Sequence, residues 1–505
     1  MYFYTIVTSA IALFASASSA QPTARQAPVA YANVMVVNAN DHSQQPVRIP
    51  LAQLTTLNYQ VTELRLISLS VHVPDIPSPD LKDVVCQRYQ DKYGIQFGSA
   101  EFTDGKPALI STNPVEFGMM TTESKIWQPL KLGNVTLSHR IALAPMTRLR
   151  NDDDHLPLDA VIQYYSDRAS IPGTLVISEA TGISKAAEAA PSTPGISSLD
   201  QMQRWKKVFD AVHDKGSYMF MQIWDLGRAG DPGYLKSRGY KYSSSSNIPM
   251  EGYPVAPEAL TEEEIWQKID EFRQAARNVV DAGGDGVEIH ACHGYLIDQF
   301  ISESVNNRTD KWGGSVENRA RFLLEVVKAV TDEVGAQRTA LRVSPFATFQ
   351  SAYTANPWDQ FGYILTELKN AQYKLAYISF VEPRGNPAAT DITLHTLAGD
   401  DINPWEDKKP RLDDFLEMWN SQSPVIVGGG YLPDNVSKAV DGDYKKWDVV
   451  VAFGRWFISN PDLVYRVKNG VPLTPYKRES FYAAKSEIGY NDYTFSQGFV
   501  EAAKV

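Results

Sequence analysis

The sequence predicts an α/β protein built as a closed (β/α)8 TIM barrel behind an N-terminal extension of unassigned structure. After Met119-Met120 the chain alternates short apolar, β-branched runs with longer segments of helical period, the pattern of parallel strands covered by helices. The 505 residues leave room for a barrel of roughly 250 residues and one further unit. No G-x-G-x-x-G turn follows the first run, where a doubly wound open sheet would usually carry one.

Taken in order, the runs Ile141 to Met146, Thr174 to Ala180, Met219 to Trp224 and Gly286 to Ala291 predict the first four strands. Thr339 to Pro345, Leu375 to Pro383, Pro424 to Gly430 and Trp447 to Arg455 predict the second four. Amphipathic stretches lie between them at Leu158 to Ala169, Leu199 to Lys215, Glu262 to Asp281, Val316 to Val334, Pro357 to Ala371, Leu412 to Trp419 and Pro433 to Val440. Thr261 with Glu264 forms a capping box at one helix start, and Gly283-Gly284 stands just past that helix's last turn.

Upstream, residues 21 to 118 mix β-like stretches, Val34 to Val37 and Leu64 to Val71, with turns such as Asp75-Ile76-Pro77-Ser78-Pro79, and hold no chemical motif. Residues 1 to 20 are signal-like: Ile6 to Phe14 is apolar, too short to span a bilayer, and Ser18-Ser19-Ala20 resembles a cleavage site. The lack of Lys or Arg before Arg25 counts against a working secretory signal, and the catalytic region, taken as 119 to 505, is expected in the cytoplasm.

Composition removes several function classes. With 48 Lys+Arg against 59 Asp+Glu the net charge is -11, so there is no general excess of cations for a phosphate backbone or an anionic membrane. Two cysteines, Cys86 and Cys292, give no disulfide framework and no Cys-rich metal site.

A βα barrel forms its active site at the C-terminal ends of the strands. The seventh strand ends in Gly428-Gly429-Gly430 and the eighth in Gly454-Arg455, where backbone N–H groups and a cation can cradle a phosphate. The fourth runs into His290-Ala291-Cys292-His293-Gly294-Tyr295, two imidazoles and a phenol able to hold an oxygen and supply a proton. Zinc is the competing reading of His290, Cys292 and His293, but a fourth ligand or third histidine is lacking, and no metal is expected. Arg342 and Gln222 are long polar side chains on the fifth and third strands, suited to face a bound ring system. Glu179, Glu288 and Glu382 could serve a glycoside hydrolase, although the phosphate loops would then have no use.

These motifs together resemble the Old Yellow Enzyme family of FMN-dependent ene reductases, from about Lys125 to Tyr493. The resemblance is carried by Gly286-Val287-Glu288-Ile289-His290, His293-Gly294-Tyr295-Leu296, Asn307-Arg308-Thr309-Asp310 and Glu317-Asn318-Arg319. Ala144-Pro145-Met146-Thr147-Arg148, Gln222-Ile223-Trp224 and Gly454-Arg455 add to it. It implies that Pro145, Met146, Thr147, Ala180, Gln222 and Arg342 contact the flavin ring or ribityl chain, with Gly429, Gly430, Gly454 and Arg455 around the phosphate. Ala180 and Gly430 occupy positions that vary within the family. His290 and His293 match the pair that holds a substrate carbonyl oxygen, Tyr295 the proton donor, and Trp224 and Tyr482 the pocket wall.

The implied cycle takes hydride from NADPH through FMN to the β-carbon of an unsaturated carbonyl compound, while Tyr295 protonates the α-carbon. A flavin-dependent double-bond isomerase or pathway-specific reductase in secondary metabolism, and a flavin carrier without catalysis, are the alternatives that the resemblance leaves open. The expected partner is a small molecule, with no nucleic acid and no integral membrane association; the physiological substrate and oligomeric state are not legible.

Overall fold

The computed structural model describes residues 30–38, 43–50, 60–61, 63–71, 86–89, 108–109, 115–116, 119–122, 124–253, 255–383 and 410–503. The signal-like segment 1–20, the turn 75–79 and most of the 383–404 loop lie outside the described residues. The chain divides into two units, Met1–Gln128 with Asp434–Asp443, and Pro129–Pro433 with Tyr444–Val505. Among the described residues no helix is long and apolar enough to cross a membrane.

In the first unit Ala30–Asn38 pairs antiparallel with Ser43–Pro50 on one side and Glu63–Val71 on the other, and Glu63–Val71 also pairs with Ala108–Leu109. The two β-like stretches of the sequence fall in the Ala30–Asn38 and Glu63–Val71 strands. Met119–Thr122 pairs antiparallel with Cys86–Tyr89.

The second unit is a closed parallel barrel of β1 (Ile141–Leu143), β2 (Leu175–Ile177), β3 (Tyr218–Trp224), β4 (Gly286–Ala291), β5 (Thr339–Val343), β6 (Tyr377–Val381), β7 (Val425–Gly428) and β8 (Val449–Phe453). β1 pairs with β8, which closes the ring. All eight strands stand where the apolar runs predict them, and most end earlier. The trailing residues of those runs, such as Pro145, Met146, Ala180 and Gly430, leave the sheet and form its rim.

The hairpin Leu130–Leu132 with Val135–Leu137 packs its apolar side chains with Ala142, Leu175, Phe220, Ala340, Tyr377 and Val450 in one buried cluster. That cluster fills the barrel interior, so the barrel is a packed core with its opening at the strand ends. Gly133 turns the hairpin at φ +58°, and a Cβ there would stand 2.1 Å from the Gln337 carbonyl oxygen. No other residue type fits both demands.

Helices Glu262–Asp281 and Val316–Val334 have the predicted bounds, and the capping box forms in both directions: Glu264 N–H donates to Thr261 Oγ1, and Thr261 N–H to Glu264 Oε2 at 2.7 Å. A second capping box, Ser198 with Gln201, starts Leu199–His213. One expectation holds only in part. The stretch 433–440 is helical only from Val436, and it winds on past the predicted end as a π-helix, Lys438–Asp443. Pro433 opens a turn instead, and the wider winding accompanies the capture of the Asp441 carboxylate by the Ser124 hydroxyl and the Lys125 N–H.

Candidate active site

β4 delivers the chemistry because its last residues leave the sheet through a tight left-handed turn. His293 has φ +55° and Gly294 +77°. His293 N–H donates to Ser344 Oγ at 2.9 Å, and Gly294 N–H to Asp298 Oδ2 at 2.7 Å, so the turn is held from both sides. A left-handed non-glycine residue costs free energy that surrounding contacts must offset, and such strain concentrates where geometry serves a site. Its effect is to bring His290, His293 and Tyr295 to one end of the barrel. The His290 ring lies 6.2 Å from that of His293 and 5.0 Å from that of Tyr295, edge-on to both.

The surroundings set the protonation of all three. Burial, with the Arg342 cation nearby, pushes His293 down to about 3, and burial pushes His290 well below the ordinary imidazole range. Both rings are neutral at physiological pH and can each donate one N–H. Burial, reinforced by Tyr482, raises the Tyr295 phenol above its usual range. It stays protonated and so has a proton to give.

Strand register places the polar residues of the third to fifth strands side by side. Gln222 lies opposite Glu288, and His290 opposite Arg342. Gln222 Nε2 donates to Glu288 Oε1 at 2.6 Å. Glu288 Oε2 and Arg342 Nε are buried with no hydrogen-bond partner among the described residues, an arrangement that suits a polar ligand. Pro145, Met146 and Thr147 are half-buried on the rim after β1, and Ala180 is buried after β2.

On the far side of the rim Gly429 and Gly430 follow β7 at φ +135° and +86°, and Gly454 follows β8. A Cβ on Gly454 would come 3.3 Å from Met146 Sδ, tighter than ordinary contact, so a side chain here would crowd the rim after β1. The positive φ of Gly429 and Gly430 suits a backbone cradle for an anion.

The family model for the NADH:flavin oxidoreductase / NADH oxidase family matches residues 125–474. The chain belongs to this family. It is 45% identical over 382 residues to NADP-dependent oxidoreductase lnbE of Aspergillus flavus, covering 76% of this chain and 99% of that one. It is 47% identical over 380 residues to Chanoclavine-I aldehyde reductase fgaOx3 of Penicillium roqueforti, covering 75% and 98%. The structure of Old Yellow Enzyme from Pichia sp. AKU4542 superposes with a TM-score of 0.66 at 36% identity over 74% of this chain and 94% of that one.

The family cofactor is FMN, and the residues present fit it. Arg342 Nε, without a hydrogen-bond partner among the described residues, and the Gln222–Glu288 pair offer buried polar atoms to a heteroaromatic ring, and Gly429, Gly430 and Gly454 carry no side chain to block a phosphate. The residues assigned to FMN by resemblance thus line one rim, with His290, His293 and Tyr295 beside them.

Trp224 is buried against Tyr295, their ring centroids 4.6 Å apart, and its Nε1 has no partner among the described residues. Tyr482 is 67% exposed on the loop after Phe481, near enough to Tyr295 to affect its ionisation. That loop is held by two arginines that sequence reasoning missed. Arg148 Nε donates to the Phe481 carbonyl at 3.0 Å and Nη2 to Gly489 at 2.8 Å. Arg150 donates to the carbonyls of Phe481 at 2.8 Å, Ser480 at 2.9 Å and Ser486 at 2.8 Å.

Gln299 was missed as well. Its Nε2 donates to the carbonyls of Leu226 at 3.0 Å and Gly294 at 2.8 Å, while its Oε1 accepts from Arg228 N–H at 3.1 Å and Ser244 Oγ at 2.8 Å. It ties the loop after β3 to the turn that carries His293. Within Leu296 to Ile301 it reads as one polar residue in a short apolar run, and nothing in the sequence marks that role.

The three carboxylates that a glycosidase would use are engaged separately. Glu179 accepts from Arg148 N–H at 3.2 Å, Glu288 from Gln222, and Glu382 from the hydroxyls of Tyr431 and Tyr444.

Proposed function

We propose that this chain is an NADPH-dependent ene reductase acting on α,β-unsaturated aldehydes or ketones, with 119–505 as its catalytic region. The observation that carries the reading is the gathering of two neutral imidazoles and a protonated phenol at the end of β4, beside Arg342 and Gln222. When bound, FMN supplies the hydride chemistry that no side chain can.

The protein's own groups do the rest. His290 and His293 each donate an N–H to the carbonyl oxygen of the substrate, fixing its orientation and stabilising the negative charge that grows on that oxygen as the double bond is reduced. Tyr295 O–H delivers a proton to the α-carbon. Trp224 and Tyr482 supply the aromatic wall that a flat conjugated substrate would contact. The aldehyde reductase name of one relative and the NADP dependence of another support the substrate class and the co-substrate.

The test is Tyr295→Phe, which removes the proton and leaves the ring packing against Trp224 and His290. Alkene reduction falls by about 10² to 10⁴, the usual worth of a positioned acid, while flavin reduction by NADPH keeps its rate. Equal losses in both half-reactions would refute the assignment.

A further inference from the structure

The turn after β4 brings a third group beside the two imidazoles. Cys292 Sγ lies 3.6 Å from His290 Nδ1 and 3.8 Å from Nε2, and one ligand atom from each of His290, Cys292 and His293 falls within 4.8 Å of the others. Zinc with S and N ligands at about 2.3 and 2.1 Å in tetrahedral geometry holds them about 3.6 Å apart. The Cys292–His290 pair already has that spacing, and a closing movement of about 1 Å by His293 would complete the set. Counting ligands along the chain argued against a metal because no fourth residue follows, yet a zinc site that works on exchangeable ligands keeps three protein donors and leaves the fourth position open.

We propose that His290, Cys292 and His293 form a binding site for a thiophilic divalent cation such as Zn2+, with its open position where the substrate oxygen would sit. The competition with substrate rests on the functional reading above; the binding does not. The thiol proton passes to solvent as the metal–sulfur bond forms, and no electron moves. Arg342, in register with His290, opposes the cation, while Glu288, buried two residues earlier on the same strand, offsets it together with the thiolate. The site would act as an inhibitory switch: metal in place, carbonyl substrate excluded.

The experiment is a calorimetric Zn2+ titration of the full-length FMN-loaded protein, run beside turnover of 2-cyclohexenone. One Zn2+ binds per chain; Cys292→Ala and His293→Asn each weaken it at least about tenfold, the lower bound for losing even an outer partner of a zinc ligand. Zn2+ raises KM for the enone without lowering kcat, and Cys292→Ala abolishes that inhibition while retaining turnover without metal. Equal affinity in the parent and in Cys292→Ala, with FMN retained in both, would overturn the site, as would the absence of binding. If Cys292→Ala loses FMN, Cys292→Ser decides in its place. Tyr295→Phe binds Zn2+ like the parent, so normal alkene turnover in that variant would count against the functional reading and leave the metal result standing.

Discussion

Glu179 is a residue whose surroundings oppose its charge. It is fully buried after β2, its N–H donates to Tyr165 Oη at 2.7 Å, and burial raises its carboxyl to about 7 despite the Arg148 and Arg150 cations. A folded-state value above the unfolded one means that the native state binds the extra proton. Its stabilising effect is therefore complete below about pH 4.5 and is lost as pH rises through about 7. Glu179→Gln removes that dependence: thermal denaturation between pH 4.5 and 7 should lose part of its downward slope, and an unchanged slope would show that Glu179 is ionised throughout. The His pair carries the opposite sign. With His293 near 3, acidification from pH 8 to 5 leaves its charge unchanged in the folded protein, so KM for an enone should be flat over that range; a rise centred near 6.5 would contradict the neutral pair. His290, His293 and Tyr295 were legible as candidates because they lie within six residues, and the structure gathers their rings at one end of the barrel. Arg342 and Gln222 were legible as long polar side chains inside apolar strands. Arg148, Arg150 and Gln299 were not, because their partners lie far along the chain or are backbone carbonyls, which carry no sequence signal.

At the scale of elements, short loops after the strands are fastened to one another by single side chains. Burial beside Arg148 lowers Arg150 to about 10, which leaves it a cation at neutral pH, and its guanidinium bonds the carbonyls of Ser480, Phe481 and Ser486. Arg150→Met deprives these carbonyls of a charged donor, at a cost of about 1–3 kcal/mol for each that stays buried. The loop bearing Tyr482 should loosen, and KM for the enone should rise more than flavin reduction slows. Equal effects on both would mean that Arg150 supports the barrel as a whole. The strands themselves were readable from the sequence because parallel strands buried on both faces are continuous β-branched runs. Their ends were placed too late because the apolar character of Ala180 or Met146 continues past the last ladder bond, into the rim. The segment before β8 was misread for a related cause: a period that fits an α-turn cannot foresee Asp441 engaging Ser124 and Lys125.

For the whole molecule, the family match begins at residue 125, and the two curated relatives described above are covered almost end to end by about three quarters of this chain. A chain begun at Met120 keeps every residue assigned here to FMN and substrate, and it should fold and bind FMN; failure to do so would make the first unit part of the enzyme. The net charge of -11 does not reveal the substrate. The pocket outline depends on surface loops, whose course sequence pattern does not determine. The central claim is tested most directly by the visible spectrum of the purified full-length protein, followed anaerobically through addition of NADPH and then of 2-cyclohexenone. A bound-flavin spectrum that NADPH bleaches and the enone restores is the predicted result; a folded protein without flavin, or a bleached flavin that the enone leaves reduced, would contradict it.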